Sequence, residues 1–264
     1  MMTSTTRNKT IINNRIVKKL LAAAFWLGVW QLLYLIVKQE ILIVSPVRVL
    51  QRLFELAQDG SFWLTALYSM LRILVGFAIG LLTGTVLAVL TSASQIMYDI
   101  FHPVISIIKA TPVASFIILA LVWIQSAQVP AFTSFLMVTP IVWGNVTSGI
   151  QKTDKRLLQM AHSYRFGSVK IVKRVYIPSV MPYFTAACTT GLGLAWKAGI
   201  AAEVLANTQL SIGGQIYNSK IYIETADLFA WTVVVIIMSV ILEWLMMRFV
   251  KTVGRKYNVG GDGV

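Results

Sequence analysis

Long apolar runs separated by short polar segments make up most of this chain. Each run is about 18 to 22 residues long, and a helix needs roughly 20 residues to cross a hydrocarbon core of about 30 Å. The runs cover about 20–37, 73–90, 104–124, 129–150, 175–196 and 228–247. They lack the alternation of apolar and polar positions that is typical of the strands of a membrane barrel. The pattern predicts an all-α integral membrane protein with about six transmembrane helices.

Composition supports this prediction and excludes most soluble classes. Hydrophobic residues make up 57% of the 264 residues, and charged residues make up only 12%. Ordinary globular proteins have about 25% charged residues, and a soluble chain of this size could not bury so much apolar surface in its own core. The chain has one cysteine and two histidines, so it can form no intramolecular disulfide and offers few ligands for a His/Cys metal site.

The distribution of basic residues accounts for the net charge of +13 and predicts the orientation in the membrane. Six spans place both termini on one side, and the segments on that side, 1–19, 151–174 and 248–256, hold 16 basic residues. The segments on the other side hold four. Because positive charge collects on the cytoplasmic side, we expect a cytoplasmic basic N-terminus (1–19), a cytoplasmic tail (251–264) and no nucleic acid as a partner.

Two segments outside the apolar runs carry helix signals. Ser45 and Pro46 are typical of a helix start, and they predict a short amphipathic helix on the outer surface that is either a lid or spacer or a direct substrate contact. The polar segment 151–174 predicts two short helices, the first capped by Asp154 and the second following a turn near Gly167. Its basic residues suit either anionic lipid headgroups or a docking surface for a cytoplasmic partner.

The same polar segment contains a recognisable motif. A Gln-Met-Ala triplet is followed by Val-Tyr-Ile-Pro, whose proline lies nineteen positions after the glutamine. This spacing resembles the EAA motif of importer permeases in the ATP-binding cassette (ABC) superfamily, which reads E-A-A, three residues, G, nine residues, then I-x-L-P. The residues that correspond to the motif, and that we expect to couple the permease to its ATPase, are Gln159, Met160, Ala161, Arg165, Gly167 and Pro178. Arg165 stands where the family has glycine, and Gly167 is expected to supply the turn instead.

Four further stretches strengthen the resemblance and narrow it. They are 69–77, 108–116, 194–203 and 224–231, and they resemble the nitrate, sulfonate and taurine branch of these permeases. The resemblance covers most of residues 20–250, in register with all the predicted spans. It implies a type I ABC importer permease fold, with a transmembrane domain over 20–250 and a cytoplasmic coupling helix in the loop 151–174.

The resemblance also implies a function and partners. Such a permease forms the translocation path of an importer in the bacterial inner membrane, paired with a second permease. We expect a second copy of this chain in a homodimer, while a sister permease stays open as the alternative. Two copies of an ATPase bind ATP and Mg below it, and an extracytoplasmic solute-binding protein delivers the solute above it. Because the chain has no G-x-x-x-x-G-K-[ST] phosphate loop, we expect no cofactor and no enzymatic activity on it. The branch implies a sulfonate, nitrate or taurine-type anion, while a neutral thiamine-precursor-like or aromatic metabolite stays open.

Ionisable and polar residues within the apolar runs are functional candidates, because placing them in a membrane is costly. The candidates for the translocation path or its gate are Lys197, Glu203, Lys109, Arg72 and Asn145. Lys197 and Glu203 are six positions apart, too far for an i,i+4 pair, so we expect each to meet a partner on another span. Structural roles are the alternative, as snorkelling side chains, caps on carbonyls or ion pairs. If the substrate is an anion, Lys197 is the expected contact.

Two other functions are compatible with six spans. An intramembrane enzyme needs a nucleophile or metal cluster at membrane depth, and the sequence contains no G-x-S-x-G, no paired aspartates and no histidine cluster. An ion-coupled carrier or a channel is the other alternative, but a carrier is expected to have inverted repeats or matching broken helices. No such repeat is evident in the sequence, so the importer permease is the stronger hypothesis.

Overall fold

The computed structural model describes residues 5–256, which form eleven helices and no strand. The helices are α1 (Thr5–Val37), α2 (Pro46–Ala57), α3 (Gly60–Ala93), α4 (Gln95–Ala110), α5 (Val113–Ala120), α6 (Val129–Gln151), α7 (Lys155–Ser163), α8 (Ser168–Ile171), α9 (Ile177–Leu205), α10 (Ile212–Ile221) and α11 (Thr225–Lys256). A π-helical turn, Val172–Tyr176, joins α8 to α9. The prediction of an all-α membrane protein is confirmed.

Three of the described helices are each long and apolar enough to cross a membrane. They are α3, α6 and the part Thr225–Thr252 of α11, and α4 with α5 makes a fourth candidate as a bent pair. α1 contributes a shorter apolar stretch, Leu21–Val37. α9 has 29 residues and a length of about 43 Å at 1.5 Å per residue, although it carries two charged side chains. The count of six spans stays a prediction.

The apolar run 104–124 does not form one helix, contrary to the sequence prediction. α4 and α5 meet at an angle of 102° across Thr111 and Pro112. Proline disfavours the helical conformation in the residue before it, and Thr111 is accordingly extended, with a ψ of 132°. α4 also begins well before the run, at Gln95, because the Ser94 side chain caps its first turn. The third predicted span is therefore a broken one.

The other helices differ from the apolar runs mainly by extending past them. α3 and α11 each contain their predicted run and continue beyond it. α9 contains its run from Ile177 onward and continues past the predicted end at 196, because helical hydrogen bonding continues until a cap ends it. α1 is helical from Thr5, within the segment predicted as the basic N-terminus. The predicted tail is helical as far as Lys256, and its remaining residues lie outside the described part of the chain.

α3 and α6 run parallel through the centre of the bundle. Gly76 of α3 faces the backbone of Ala131, and Gly84, two turns further along α3, faces Val142 of α6. A Cβ atom on Gly84 would lie only 2.8 Å from the Val142 Cβ, which no real pair of carbons tolerates. Small residues on α3 therefore allow the close approach of the two helices.

α9 packs against both of these helices and runs antiparallel to α6. Ser134 Oγ in the first half of α6 donates to Ala195 O in the second half of α9, at 3.1 Å. The arrangement gives the bundle two ends. We call one the α10 end, where α2, α10 and the first turns of α3 lie, and the other the α7 end, where α6 finishes and α7 and α8 follow.

Candidate functional site: the α7 segment and the membrane charges

α7 is closed by hydrogen bonds at both ends. The Asp154 carboxylate accepts a hydrogen bond from the backbone of the first turn at 2.8 Å, so Asp154 is the N-cap that the sequence predicted. At the other end, Phe166 N donates to Ala161 O at 2.9 Å. Arg165 N donates to His162 O at 2.8 Å. These two bonds are the Schellman motif, in which the residue after the C-cap is left-handed and glycine is favoured.

Arg165 is that left-handed residue, with a φ of 52°. The expectation that Gly167 supplies the turn is wrong, because Gly167 has a φ of −66°, which any residue adopts. The Schellman geometry explains why a glycine four positions after Ala161 suits this motif. Arg165 adopts the same conformation at a cost of roughly 1–2 kcal/mol for a residue with a Cβ.

The motif residues lie on two different faces of α7. Ala161 is only 1% exposed and packs with Val175 of the π-helical turn. Gln159 is exposed, and Met160 is 53% exposed. Ala161 therefore fastens α7 to the segment that leads into α9 and is not available to a partner. Pro178, half-buried in the first turn of α9, belongs to the same connection.

The outer face of α7 carries an apolar ridge that contains Met160, which the motif predicted, and two residues that the motif does not include. Leu157, Met160 and Tyr164 are 42%, 53% and 72% exposed. Their spacing of three and four residues places them along one face, which we call the α7 ridge. Two basic residues, Lys155 and Arg156, are exposed in the first turn of the same helix. The signal was present in the sequence as apolar residues at helical spacing within a polar loop.

An apolar cavity of about 470 Å³ lies next to this segment, between α3, α6, the π-helical turn and α9. Its lining includes Val146, Tyr176 and Phe184. Ser92 Oγ, also in the lining, is buried without a hydrogen-bond partner among the described residues. The cavity leaves the first turns of α9 free space in which to shift relative to α6.

At the α10 end, Glu203 is completely buried at the end of α9. Its Oε2 accepts hydrogen bonds from Ser69 Oγ at 2.9 Å and from Gly213 N at 3.0 Å. Ser69 Oγ in turn accepts from Ile212 N at 2.8 Å. We call these four residues the Glu203 cluster. A carboxylate at the N-terminus of α10 suits the positive end of the helix dipole, and it ties α3, α9 and α10 together.

Arg72 lies near the Glu203 cluster and bonds the loop before α10. Its Nη1 donates to Gln209 O at 3.3 Å and to Leu210 O at 3.1 Å. Its guanidinium also lies over the Tyr68 ring, 5.8 Å from the centroid. Leu210 is left-handed, with a φ of 46°, so these bonds hold a strained loop in place. For Arg72, capping of carbonyls is the contact that the structure contains.

The remaining candidates lie elsewhere. The Lys109 ammonium lies 5.3 Å from the ring centroid of Trp143, whose Nε1 donates to Thr91 Oγ1 at 2.9 Å. Asn145 is half-buried and donates to Ile141 O of its own helix at 2.8 Å. Lys197 is exposed on α9. The sequence led us to expect a partner for it on another span, but within the described residues it makes no hydrogen bond or ion pair to one. The five candidates therefore do not form one site, and their transport roles stay predictions.

One ion pair at the α10 end had no signal in the sequence, because its partners are 175 positions apart. Arg52 Nη2 of α2 donates to Asp227 Oδ2 of α11 at 3.0 Å, and Arg52 Nη1 donates to Glu55 at 2.8 Å. Hydrogen bonds to these two carboxylates raise the pKa of Arg52 above its usual range. The pair borders a charged cavity of about 360 Å³ and fastens α2 to the bundle.

Comparisons with known proteins identify the family. Residues 76–257 match the model of the binding-protein-dependent transport system inner membrane component. A nitrate import permease protein, NrtB, of a Synechocystis species is 26% identical over 229 residues, which are 81% of this chain and 82% of the relative. A bicarbonate transport system permease protein, CmpB, also of Synechocystis, is 26% identical over 61% of this chain and 57% of the relative.

Solved structures agree on the fold. A chain of the MetNI methionine ABC transporter in an inward-facing conformation superposes with a TM-score of 0.57 and 17% identity, over 72% of this chain and 93% of that one. The family model covers more than half of the chain, from the middle of α3 to the last described turn of α11. The chain therefore belongs to the binding-protein-dependent inner membrane components, and it is a permease subunit of an ABC importer in the inner membrane.

Proposed function

We propose that this permease imports a small anion, of the nitrate, sulfonate or taurine type, delivered by an extracytoplasmic binding protein. The names of two relatives, a nitrate permease and a bicarbonate permease, support an anionic substrate. Two lysines at membrane depth, Lys109 and Lys197, supply positive charge that suits such a substrate. Neither observation distinguishes nitrate from a sulfonate, and a neutral substrate is an outcome that the experiment below can reveal.

The α7 ridge is the observation that best supports the proposal that a separate ATPase drives transport. Leu157, Met160 and Tyr164 form an exposed apolar surface on a helix that also exposes basic residues, as a docking helix requires. Behind the ridge, Ala161 packs on Val175 of the π-helical turn. A displacement of α7 would therefore reach α9, and the apolar cavity beside α9 gives that motion room. This is alternating access by rigid-body movement, with ATP and Mg bound to the partner.

The proposed assembly is two copies of this chain, two ATPase subunits at the α7 end and a binding protein at the α10 end. The basic residues support this orientation, since 151–174 and the two terminal segments carry most of them. In this orientation both termini are cytoplasmic. The family description, which includes dependence on a binding protein, supports the extracytoplasmic partner.

Reconstitution of the complete complex tests this function. The permease and its co-purifying ATPase are placed in proteoliposomes with the binding protein, and ATP-dependent uptake of nitrate, bicarbonate, an alkanesulfonate and a neutral pyrimidine is measured. We expect uptake of at least one of the anions. Met160→Glu puts a charge on the α7 ridge, where burying it unpaired against a partner is strongly unfavourable, so it should abolish uptake and ATPase co-purification. Met160→Leu keeps the ridge apolar and serves as the matched control.

Two outcomes would contradict the proposal. Uptake of the neutral pyrimidine alone, with none of the anions transported, would replace the anion with a neutral substrate. Normal ATPase binding and normal uptake in Met160→Glu would show that α7 rests on lipid headgroups instead of on the ATPase.

A further inference from the structure

Four charged side chains of α3, α4 and α9 fall into two kinds. Arg72 and Glu203 are held by hydrogen bonds to backbone and to Ser69 at the α10 end. Lys109 and Lys197 are exposed, and neither forms an ion pair with any carboxylate within 4.0 Å in the described part of the chain. Lysines at membrane depth face protein interior or a water-filled cavity, because hydrocarbon does not solvate them. The faces that carry these lysines are therefore better suited to protein or water than to lipid tails.

The exposed surfaces of α3 and α9 support this distinction. The exposed face of α3 consists of large apolar residues: Leu71, Val75, Ile79, Leu82 and Val86. The exposed residues of α9 include two leucines, Leu194 and Leu205, but the others are smaller or polar: Pro182, Ala186, Thr190, Lys197 and Ala201. The α3 face suits lipid tails, whereas the α9 face suits another protein surface or water.

Each lysine is next in sequence to a member of one apolar cluster. Its buried members are Leu136, Met137 and Ala198, and Ile108 of α4 packs against them. Ala198 follows Lys197 directly in sequence, and Ile108 precedes Lys109. The two lysines are therefore on neighbouring parts of the bundle surface, one on α9 and one on α4.

The lysines lie at different depths. The Lys109 ammonium is near Gly144 of α6, 3.7 Å from where a Cβ on that glycine would be. Lys197 is two residues beyond Ala195, which is level with Ser134 of α6. Ser134 and Gly144 are ten residues apart, and Lys197 lies two residues further toward the α10 end, so roughly 18 Å separates the two lysine levels at 1.5 Å per residue. Lys197 is nearer the α10 end, and Lys109 is nearer the α7 end.

One carboxylate lies in the region of Lys197 and gives it an alternative role. Glu243 Oε1 of α11 is 3.7 Å from where a Cβ on Gly193 would be, and Gly193 is one turn before Lys197 on α9. No ion pair joins Glu243 to Lys197 within 4.0 Å in the described residues. Structural neutralisation of Glu243 is therefore an alternative that the experiment must separate from contact with an anion.

We propose that Lys197 and Lys109 are successive contacts for the transported anion, on a surface that a second copy of this chain closes into a path. This inference rests on the proposed function. An ammonium group offers three hydrogen-bond donors and a compact positive charge, which suit a small oxyanion. An anion entering at the α10 end meets Lys197 first and Lys109 second. The Trp143 ring stabilises the Lys109 ammonium when no anion is bound.

The experiment uses the reconstituted complete complex with nitrate as the probe. Lys197→Met and Lys109→Met remove the charge but keep the side-chain length, and Lys197→Arg and Lys109→Arg retain the charge. Lys220→Met is the matched control, because Lys220 is an exposed lysine on α10. We expect each methionine variant to lower nitrate uptake roughly tenfold or more. A charged cleft raises the local concentration of an oppositely charged ligand by roughly 10- to 1,000-fold, and tenfold is the lower end of that range. The arginine variants should retain much of the uptake, and binding-protein-stimulated ATPase activity should persist in all.

The outcomes separate this inference from the proposed function. If the wild-type complex transports a neutral solute and no anion, the proposed function fails. If it transports nitrate and both methionine variants do so normally, the lysine path is wrong although the function stands. The double variant Lys197→Met with Glu243→Gln tests the alternative role. Full recovery of uptake in it would show that Lys197 only neutralises Glu243, whereas a persistent loss supports anion contact.

Discussion

Replacing Arg165 with glycine should stabilise the end of α7. Arg165 has a φ of 52°, a conformation that costs a residue with a Cβ roughly 1–2 kcal/mol and costs glycine nothing. Glycine loses more backbone entropy on folding, which offsets roughly 0.5–1 kcal/mol of this gain. The net expectation for Arg165→Gly is a stabilisation of about 0.5–1 kcal/mol, or roughly a two- to fivefold lower population of the opened turn.

Hydrogen–deuterium exchange in the purified complex measures this local opening. The reporting amide is Phe166 N, which donates to Ala161 O at 2.9 Å and becomes free when the turn opens. Peptides covering 155–166, corrected for intrinsic exchange rates, should exchange more slowly in Arg165→Gly than in the wild type. Arg165→Ala retains the Cβ and should show no such protection.

Gly167→Ala is the matched control at the neighbouring glycine. Gly167 has a φ of −66°, and a Cβ there would meet nothing within 4 Å, so alanine should leave exchange unchanged or slow it slightly. Faster exchange in Gly167→Ala, together with no protection in Arg165→Gly, would refute the assignment of the turn to Arg165.

Two further predictions concern the α10 end. Ser69→Ala removes the donor to Glu203 and the acceptor for Ile212 N, so a cost of roughly 1–3 kcal/mol per unpaired buried group should lower the melting temperature. Ser106→Ala is the control and should not lower it, because the Ser106 hydroxyl bonds only its own helix. Equal melting temperatures for the two variants would show that the Glu203 cluster does not stabilise the bundle. The second prediction concerns orientation and uses a chain in which Cys188 is replaced. A cysteine at Leu210, which is 56% exposed, should react with an impermeant thiol reagent from outside the cell, and a cysteine at the exposed Ser168 should react only from inside. Labelling of both from the outside would overturn the orientation.

Hydropathy and cap residues predicted the helical class and α7, because both depend on local sequence. The sequence placed the N-caps Ser45 and Asp154 correctly, since a side-chain oxygen ahead of a helix bonds its first turn in any context. Hydropathy did not predict the break at Pro112, because the hydrophobicity of a segment carries no information on whether the helix bends within it. It also placed the end of α9 too early, at 196, because the helix continues through the buried Glu203.

Tertiary contacts account for what the sequence could not predict at the candidate sites. Gly167 was expected to adopt the left-handed conformation of the turn, because glycine adopts it most readily. The two Schellman hydrogen bonds instead place that conformation at Arg165. Ala161 was interpreted as a docking contact, and packing against Val175 is what buries it. The pairing of Arg52 with Asp227 depends on α2 lying against α11, which no local pattern specifies.

Photo-crosslinking from the α7 ridge tests the central claim, that this permease couples to its ATPase through α7. A photoreactive amino acid replaces Met160, which is 53% exposed at the α7 end, or Trp63, which is 61% exposed at the α10 end. The complete complex is irradiated in membranes with and without ATP, and the products are identified by mass spectrometry. We expect the probe at Met160 to form an adduct with the ATPase whose yield changes with ATP, and the probe at Trp63 to form none. An ATPase adduct from Trp63, or only lipid adducts from Met160, would contradict the account.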